Sequence, residues 1–196
     1  MAVNNRNVLA GRPDQAVTGA ILSTTTLVTT LPTDLYNLDL NTLKLTDSGY
    51  VSDAGLTLSV KRSTNDIKDW SQSVVKKILS EFSGSIKWSH LEVSEGSAKN
   101  FFGENNVTVT PKTTSQGTRL LMKLRADELP HKTWCFRMKD GDAKIIIWVP
   151  DGQITEADDI TFAASDAIKL PVTLTCYPDA QGNSLYIATD DGVTGA

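Results

Sequence analysis

The chain has little of what most chemistries need. It carries two cysteines, Cys135 and Cys176, and two histidines, His90 and His131, in 196 residues. Two cysteines are too few for a disulfide framework and have no metal-ligand spacing, so both read as small buried hydrophobes in strands. No apolar run approaches the roughly 18 residues of a membrane span. The opening MAVNNRNVLAGRPDQ is polar, with no apolar stretch of the signal-peptide kind, so a soluble chain made in a cytosol is expected. There is no basic surplus either: 19 Lys and Arg stand against 23 Asp and Glu, a net charge of −4. That balance argues against an affinity for nucleic acid built on phosphate neutralisation, though not against a protein that nucleic acid merely passes.

Catalytic signatures are missing as well. No nucleophile elbow, no glycine-rich phosphate loop ending in Lys-Ser or Lys-Thr and no HExxH occurs. Any catalytic base of the histidine kind would have to be His90, in a strand-like run, or His131, after Pro130 in a turn. Both read as packed or solvated side chains, and no enzyme is expected. Glu156, Asp158 and Asp159 lack the ligand spacing of a calcium loop and read as a solvated acidic stretch. Asn106-Val107-Thr108 matches a glycosylation sequon, which carries no weight without secretion. No cofactor and no metal site is expected.

What is present is threonine, 23 residues of it, and alternation. Branching at Cβ stiffens χ1, so threonine supports strands and weakens helices. Leu56, Leu58 and Val60 alternate with polar residues, as do Val107 and Val109, Leu120, Met122 and Leu124, and Trp134, Phe136 and Met138. The longest such run is Ile168, Leu170, Val172, Leu174 and Cys176. Ile145 to Val149 is apolar on both faces, which predicts a central strand covered on both sides. Asp140-Gly141, Asp151-Gly152, Gln181-Gly182-Asn183 and Asp191-Gly192 read as turns at hairpin-like intervals. The apolar phase slips by one residue near His90, as a bulge or a strand end would make it. The fold expected is mainly β and antiparallel.

Helix is predicted once with full end signals, over Ser94 to Phe102, with Ser94 as N-cap, Glu95 in the first turn and Gly103 as the C-terminal positive-φ residue. A second stretch is ambiguous. Ile67, Trp70, Val74, Ile78 and Phe82, with Val75 and Leu79 beside them, follow helical spacing, and Asn65 or Asp66 would cap it. Taken alone, that spacing predicts a helix.

The four tryptophans, Trp70, Trp88, Trp134 and Trp148, admit two readings. Three sit in phase with apolar strand neighbours, which favours packing in a core or between subunits; the alternative is a sugar-stacking platform in a carbohydrate-binding β-sandwich module. Charge is segregated too. Residues 112–144 sum to +4 and residues 150–196 to −7. Two differently solvated faces would explain this, as would complementary surfaces by which one copy meets another.

The residues Gly49-Tyr50-Val51-Ser52-Asp53-Ala54-Gly55-Leu56-Thr57 are followed by Asp66-Ile67-Lys68-Asp69-Trp70. Then come a β segment from Gly84 to Val93 and a short helix closing on Phe102-Gly103. Later stand Val149-Pro150-Asp151-Gly152-Gln153-Ile154 and Pro171-Val172-Thr173-Leu174-Thr175-Cys176-Tyr177-Pro178-Asp179. In this order and spacing the sequence resembles the tail tube (major tail) proteins of long, non-contractile-tailed bacteriophages, especially those of actinobacteria, over roughly residues 20–190. Ala54 stands where the family often has an acid, and Ser71 follows Trp70 where glycine is common.

The resemblance implies two packed antiparallel sheets with a flanking helix, and it implies that residues 67–82 are extended, which is the reading adopted. Residues 1–17 and 190–196 carry no usable periodicity and read as an N-terminal and a C-terminal arm around a β domain over 18–189. The resemblance further implies hexameric rings that stack into a tube, the conduit for the genome, with a tape-measure protein, a tail terminator and distal tail or baseplate proteins as partners. The tube of a contractile injection or type VI secretion machine is the related alternative. Trp70, Trp88, Phe101, Phe102 and Gly103 are the candidate subunit-contact or core residues.

Overall fold

The computed structural model describes residues 8–14 and 19–193. Of the two expected arms, residues 1–7, 15–17 and 194–196 lie outside the described residues. In chain order the elements are β1 (Arg12–Pro13), β2 (Ile21–Thr24), β3 (Thr46–Asp47), β4 (Val51–Lys68), β5 (Val74–His90), α1 (Glu95–Phe102), a 3₁₀ turn at Glu104–Asn106, β6 (Val107–Thr110), β7 (Arg119–Met122), β8 (Lys132–Asp140), β9 (Ala143–Ala157), β10 (Leu170–Tyr177) and β11 (Tyr186–Asp190). Nine strands form one antiparallel sheet in the order β3-β2-β8-β9-β10-β5-β4, with β1 also on β8 and β11 also on β9; β6 and β7 make a separate two-stranded sheet. Arg12–Pro13 pair with Lys139 and Met138, and the Asp14 carboxylate meets Arg137 at 3.1 Å and Lys139 at 3.2 Å. Residues 12–14 are therefore fastened to the sheet.

The large sheet folds over on itself. Trp88 of β5 touches Trp134 and Phe136 of β8, with ring centroids 5.4 and 5.3 Å apart. Those strands are three steps apart, which in a flat sheet would separate them by about 14 Å. The bend lies in β9. Its first half pairs with β8 and β11, and its second half, from Asp151, pairs with β10. Between the halves sits Pro150, opposite Thr133, where the β8–β9 register shifts. Proline brings no N–H to the ladder and an irregular register bends a strand. Thr133 Oγ1 donates to the Pro150 carbonyl at 2.7 Å, and Trp134 Nε1 donates to the Gly152 carbonyl at 3.1 Å. One long sheet thus supplies the two packed layers that the resemblance implies.

The bend corrects one expectation. Asp151-Gly152 is no turn but part of β9, with Gly152 paired to both Cys176 and Lys132. Glycine is needed there for space: a Cβ would stand 3.0 Å from Trp134 and 3.1 Å from Leu174 and Val149. The other three turn signals do mark the ends of strands, with Gly141, Gly182 and Gly192 all at positive φ.

Two apolar clusters use the two faces of the first layer. Ile147 and Val149 join Ile21, Ile86, Trp88, Trp134, Phe136, Ile154, Val172, Leu174 and Cys176 between the layers. Ile146 and Trp148 point the other way, to Leu22, Leu35, Leu45 and Cys135, under a cover that includes Val28, Tyr36, Leu38, Leu40 and Leu43. The run from 145 to 149 is therefore the doubly covered central strand that its composition predicts. Both cysteines are buried and free, and burial pushes each thiol up to about 12.

α1 ends as its sequence predicts. Ser94 and Ser97 form a reciprocal capping box, and the Gly103 N–H donates to Lys99 at φ +97. The helix is tied to β8 by a buried polar chain. Lys132 Nζ reaches Asn100 Oδ1 at 3.0 Å and Glu104 Oε1 at 2.7 Å, and Asn100 Nδ2 donates to Ser48 at 2.9 Å. Burial alone would raise the Glu104 carboxyl; the Lys132 and Lys99 ammonium groups overcome it and hold it low.

His90 marks the phase slip, and it is a strand end, where β5 stops between Val51 and Leu170. Its Nε2 accepts from Trp88 Nε1 at 3.1 Å, which leaves the proton on Nδ1, toward the Ser48 backbone. Burial pushes the imidazole down to about 4, from an ordinary 6.5.

Two outcomes are expected. Gly152→Val lowers stability by about 1–3 kcal/mol through overpacking, measured as a lower urea midpoint at unchanged slope. Because His90 is neutral in the fold and charges more readily when unfolded, stability falls as pH drops from 6.5 toward 4, by about 3 kcal/mol in all. His90→Gln removes that slope in urea titrations over this range, where the depressed carboxyls of Asp14 and Glu104 contribute only at the acid end.

Candidate assembly surface

β4 and β5 are the longest strands, and only their lower halves belong to the body of the sheet. β10 pairs with β5 from Gly84 to His90 and no further. Beyond Gly84 the β4–β5 ladder continues without a third strand, from Lys61↔Ser83 up to Lys68↔Val74. The result is a two-stranded hairpin projecting from the fold, with β4 at the edge of the sheet along its whole length.

The helical reading of residues 67–82 is thereby overturned, and the extended reading holds. Residue chemistry at the tip explains why. Asp69 Oδ1 accepts from Ser71 Oγ at 2.7 Å and from the Ser73 N–H at 2.9 Å, and these bonds hold its carboxyl below the usual range. Gln72 N–H donates to the Asp69 carbonyl at 3.0 Å, and Gln72 itself has φ +65. Such an Asx turn reverses the chain inside the supposed helix. Asp66, a candidate helix cap, instead pairs across the strands with Lys77 at 2.7 Å.

The hairpin is held by cross-strand pairs of modest strength. Besides Asp66–Lys77, Arg62 lies over the Phe82 ring at 5.0 Å and Ser63 Oγ donates to Glu81 at 3.3 Å. A register shift between Ser63 and Thr64, at Ser80 on the facing strand, adds local twist. Yet Val60, Ile67, Val74, Val75, Ile78, Leu79 and Phe82 are all exposed, and Trp70 at the tip is 102% exposed. Apolar residues fall on both faces of the ladder, as Thr64↔Leu79 and Asn65↔Ile78 are successive pairs. Single exposed hydrophobes are ordinary; a contiguous set on one projecting element marks an interaction surface.

The five singled-out residues separate. Trp88 is buried at 4% exposure and belongs to the core between the layers. Phe101 packs against that core and meets Phe102 with centroids 4.8 Å apart. Gly103 closes α1. Trp70 alone of the five lies on the hairpin. Val74, Val75, Ile78 and Leu79 belong with it, and the signal for them was present as an apolar set misassigned to a helical face. A sugar platform needs several exposed rings, whereas Trp88, Trp134 and Trp148 are all buried.

The chemistry elsewhere is occupied with structure. His131 Nδ1 lies 2.6 Å from Asp151 and its ring sits against Tyr177 at 4.8 Å. A cleft of about 430 Å³ beside α1 is lined by Lys99 and Lys132, whose ammonium groups are already matched to Glu95 and Glu104. Among the described residues no group of three His, Cys, Asp or Glu side chains is placed to hold a metal ion. Among the described residues no helix is long and apolar enough to cross a membrane.

A family model described as phage tail tube protein matches residues 1–194. Among solved structures the chain is similar to the tube-terminating cap of the anti-feeding prophage, at 11% identity and TM-score 0.47, over 97% of this chain and 95% of that one. It is similar to a chain of the virion of a native gene transfer agent particle, at 12% identity and TM-score 0.41, over 86% and 95%. It is also similar to a chain of the sheath–tube complex of an extracellular contractile injection system in its extended state, at 8% identity and TM-score 0.39, over 96% and 100%. No curated protein matches the sequence.

Because these hairpin side chains contact little within the chain, Trp70→Ser, Val75→Ser and Leu79→Ser are each expected to change the stability of the isolated subunit by no more than about 0.5 kcal/mol. Thermal melts of dilute protein check this; a large loss would place the side chains in the fold instead.

Proposed function

The chain belongs to the phage tail tube protein family, and from that premise we propose that it forms hexameric rings which stack into the tail tube, the conduit for the genome into the host. The observation that carries this reading is the β4–β5 hairpin. An element with an unpaired edge and eight exposed large apolar side chains is stable in water only at the cost of leaving that area hydrated. Contact with further copies removes both liabilities. Pairing the β4 edge with a neighbouring subunit continues the sheet around a ring, and burying the hairpin tip joins one ring to the next. Contacts of this head-to-tail kind close into rings or extend into filaments.

Charge supports the conduit role. With a net charge of −4 the subunit offers a passing polyanion no excess of neutralising contacts, so DNA slides without being retained. The partners of such a tube are the tape-measure protein that sets its length, the tail terminator and the distal tail or baseplate proteins. The subunit assembles in the cytoplasm of the host bacterium and ends in the virion tail.

Concentrated protein viewed by negative-stain electron microscopy, with light scattering alongside, is expected to show rings or hollow tubes of one diameter. The combined Trp70→Ser, Val75→Ser and Leu79→Ser chain is expected to need at least a hundredfold more protein to assemble, given roughly 1.5–3 kcal/mol per buried apolar side chain. Wild-type protein that stays monomeric even when offered tail-tip initiator complexes would overturn the reading. Quenching of Trp70 fluorescence by oligosaccharides in such a monomer would point to the glycan-binding alternative.

A further inference from the structure

We propose that the acidic β9–β10 loop of one copy docks on the basic β6–β7 hairpin of a neighbouring copy, as a second contact independent of the β4–β5 hairpin. The identity of the partner as another copy rests on the tube reading; the two surfaces do not.

The +4 and −7 halves of the sequence resolve, in the structure, into two particular exposed segments. From Asn105 to Ala126 there is no acidic residue, and Lys112, Arg119, Lys123 and Arg125 all lie there. That stretch is the β6–β7 hairpin and its exit, a two-stranded sheet outside the main one. Leu121 and Leu124 are exposed on it, Leu124 at 87%. A lone hairpin is marginal in water, and this one leans on the fold mainly through α1. Among the described residues Lys112, Arg119 and Lys123 make no ion pair, and Arg125 has only Asp127 at 3.6 Å.

The opposite sign gathers in the connection from β9 to β10. Residues 158–169 contain no regular structure, and a connection of that length inside a compact fold is commonly a binding loop. Asp158, Asp159 and Asp166 lie in it, Glu156 precedes it, and Lys169 is its single base. Asp166 is matched by Lys169 at 3.1 Å and Glu156 is 3.9 Å from Lys87. Asp158 and Asp159 make no ion pair among the described residues. Phe162, 77% exposed, stands among these acids.

Among the described residues no ion pair joins the two segments within one chain. Each copy therefore presents a basic hairpin on which Lys112, Arg119 and Lys123 make no ion pair among the described residues, with two exposed leucines, and an acidic loop on which Asp158 and Asp159 make none, with an exposed phenylalanine. Opposite charge sets register and speeds encounter, while burial of Phe162 against Leu121 and Leu124 supplies the affinity. Because the two surfaces are different, each copy uses one toward each neighbour, as a repeating assembly requires.

A charge swap tests this. One chain carries Lys112→Glu, Arg119→Glu and Lys123→Glu; a second carries Glu156→Lys, Asp158→Lys and Asp159→Lys; a third carries all six changes. Circular dichroism melts first establish that each is folded. Tube growth is followed by light scattering and electron microscopy at low salt and at about 0.5 M salt. Each one-sided chain is expected to grow roughly tenfold or more slowly than wild type, the six-fold chain to recover to within about threefold, and wild-type growth to slow as salt screens the contact. One-sided chains that grow like wild type, or a six-fold chain as slow as its worse parent, would overturn the contact while leaving the tube reading intact. Absence of tubes from wild type even with tail-tip initiator complexes present would sink both. Tubes unaffected by hairpin reversal, together with retention of wild type but not of the reversed hairpin on a duplex DNA column, would assign the basic hairpin to nucleic acid instead.

Discussion

A nine-stranded sheet with apolar residues on both faces cannot stand open in water, and the bend of β9 at Pro150 is what closes this one. The proline brings no N–H to the ladder, Thr133 and Trp134 hold the carbonyls of Pro150 and Gly152, and Gly152 leaves room for the Trp134 ring. Through that bend β5 comes over β8, and the Trp88, Trp134 and Phe136 rings meet edge-on in the space between layers. The second cluster, under residues 28–43, depends on the same strand, because Ile146 and Trp148 can face it only while Ile147 and Val149 face the other way.

Closing the sheet this way also decides what is left over. β10 is short and covers β5 only as far as Gly84, so the remainder of β4 and β5 runs out of neighbours and projects. The apolar side chains there have no core to enter. In a monomeric protein such a hairpin would be an aggregation hazard; in a tube subunit it is unmatched surface awaiting a copy. The cross-strand pairs that hold it, Asp66–Lys77 and Arg62 over Phe82, are exposed and weak, which keeps the hairpin formed without sealing its faces.

Two further buried polar side chains serve the scaffold. Lys132 is buried because it links α1 to β8 through Asn100 and Glu104, and His90 is buried because the strand end packs over it and Trp88 supplies its hydrogen bond. Buried polar contacts of this kind make the fold particular about its own arrangement. The segregation of charge, in contrast, falls on exposed segments whose charges are matched only in part within the chain. The exposed surfaces left over are the hairpin tip, the β6–β7 hairpin and the β9–β10 loop, the three that the proposed assembly would cover.

Much of this was legible residue by residue. Alternation at Trp134, Phe136 and Met138 and at Leu170 to Cys176 identified half-buried strands because side chains in a strand alternate between faces whatever the fold around them. Ser94 and Gly103 marked the helix ends because capping is local chemistry. The run from Ile145 to Val149 announced a strand covered twice. Local pattern failed in two places, and for one reason. Around Asp151-Gly152 the turn-forming pair serves a bend inside a strand, where the space left by Trp134 and Leu174 matters more than turn propensity. From Ile67 to Phe82 apolar periodicity pointed to a helix because periodicity reports burial on a single face, and this segment is buried on neither face of the subunit. The family resemblance, which carries the tertiary context, had it extended. What the sequence by itself determined was strand identity, helix ends and the separation of charge, all set by neighbours along the chain. Where the sheet folds, which apolar residues stay outside, and which charged segments go unmatched were decided only in the tertiary structure, because each depends on what residues distant in sequence leave uncovered.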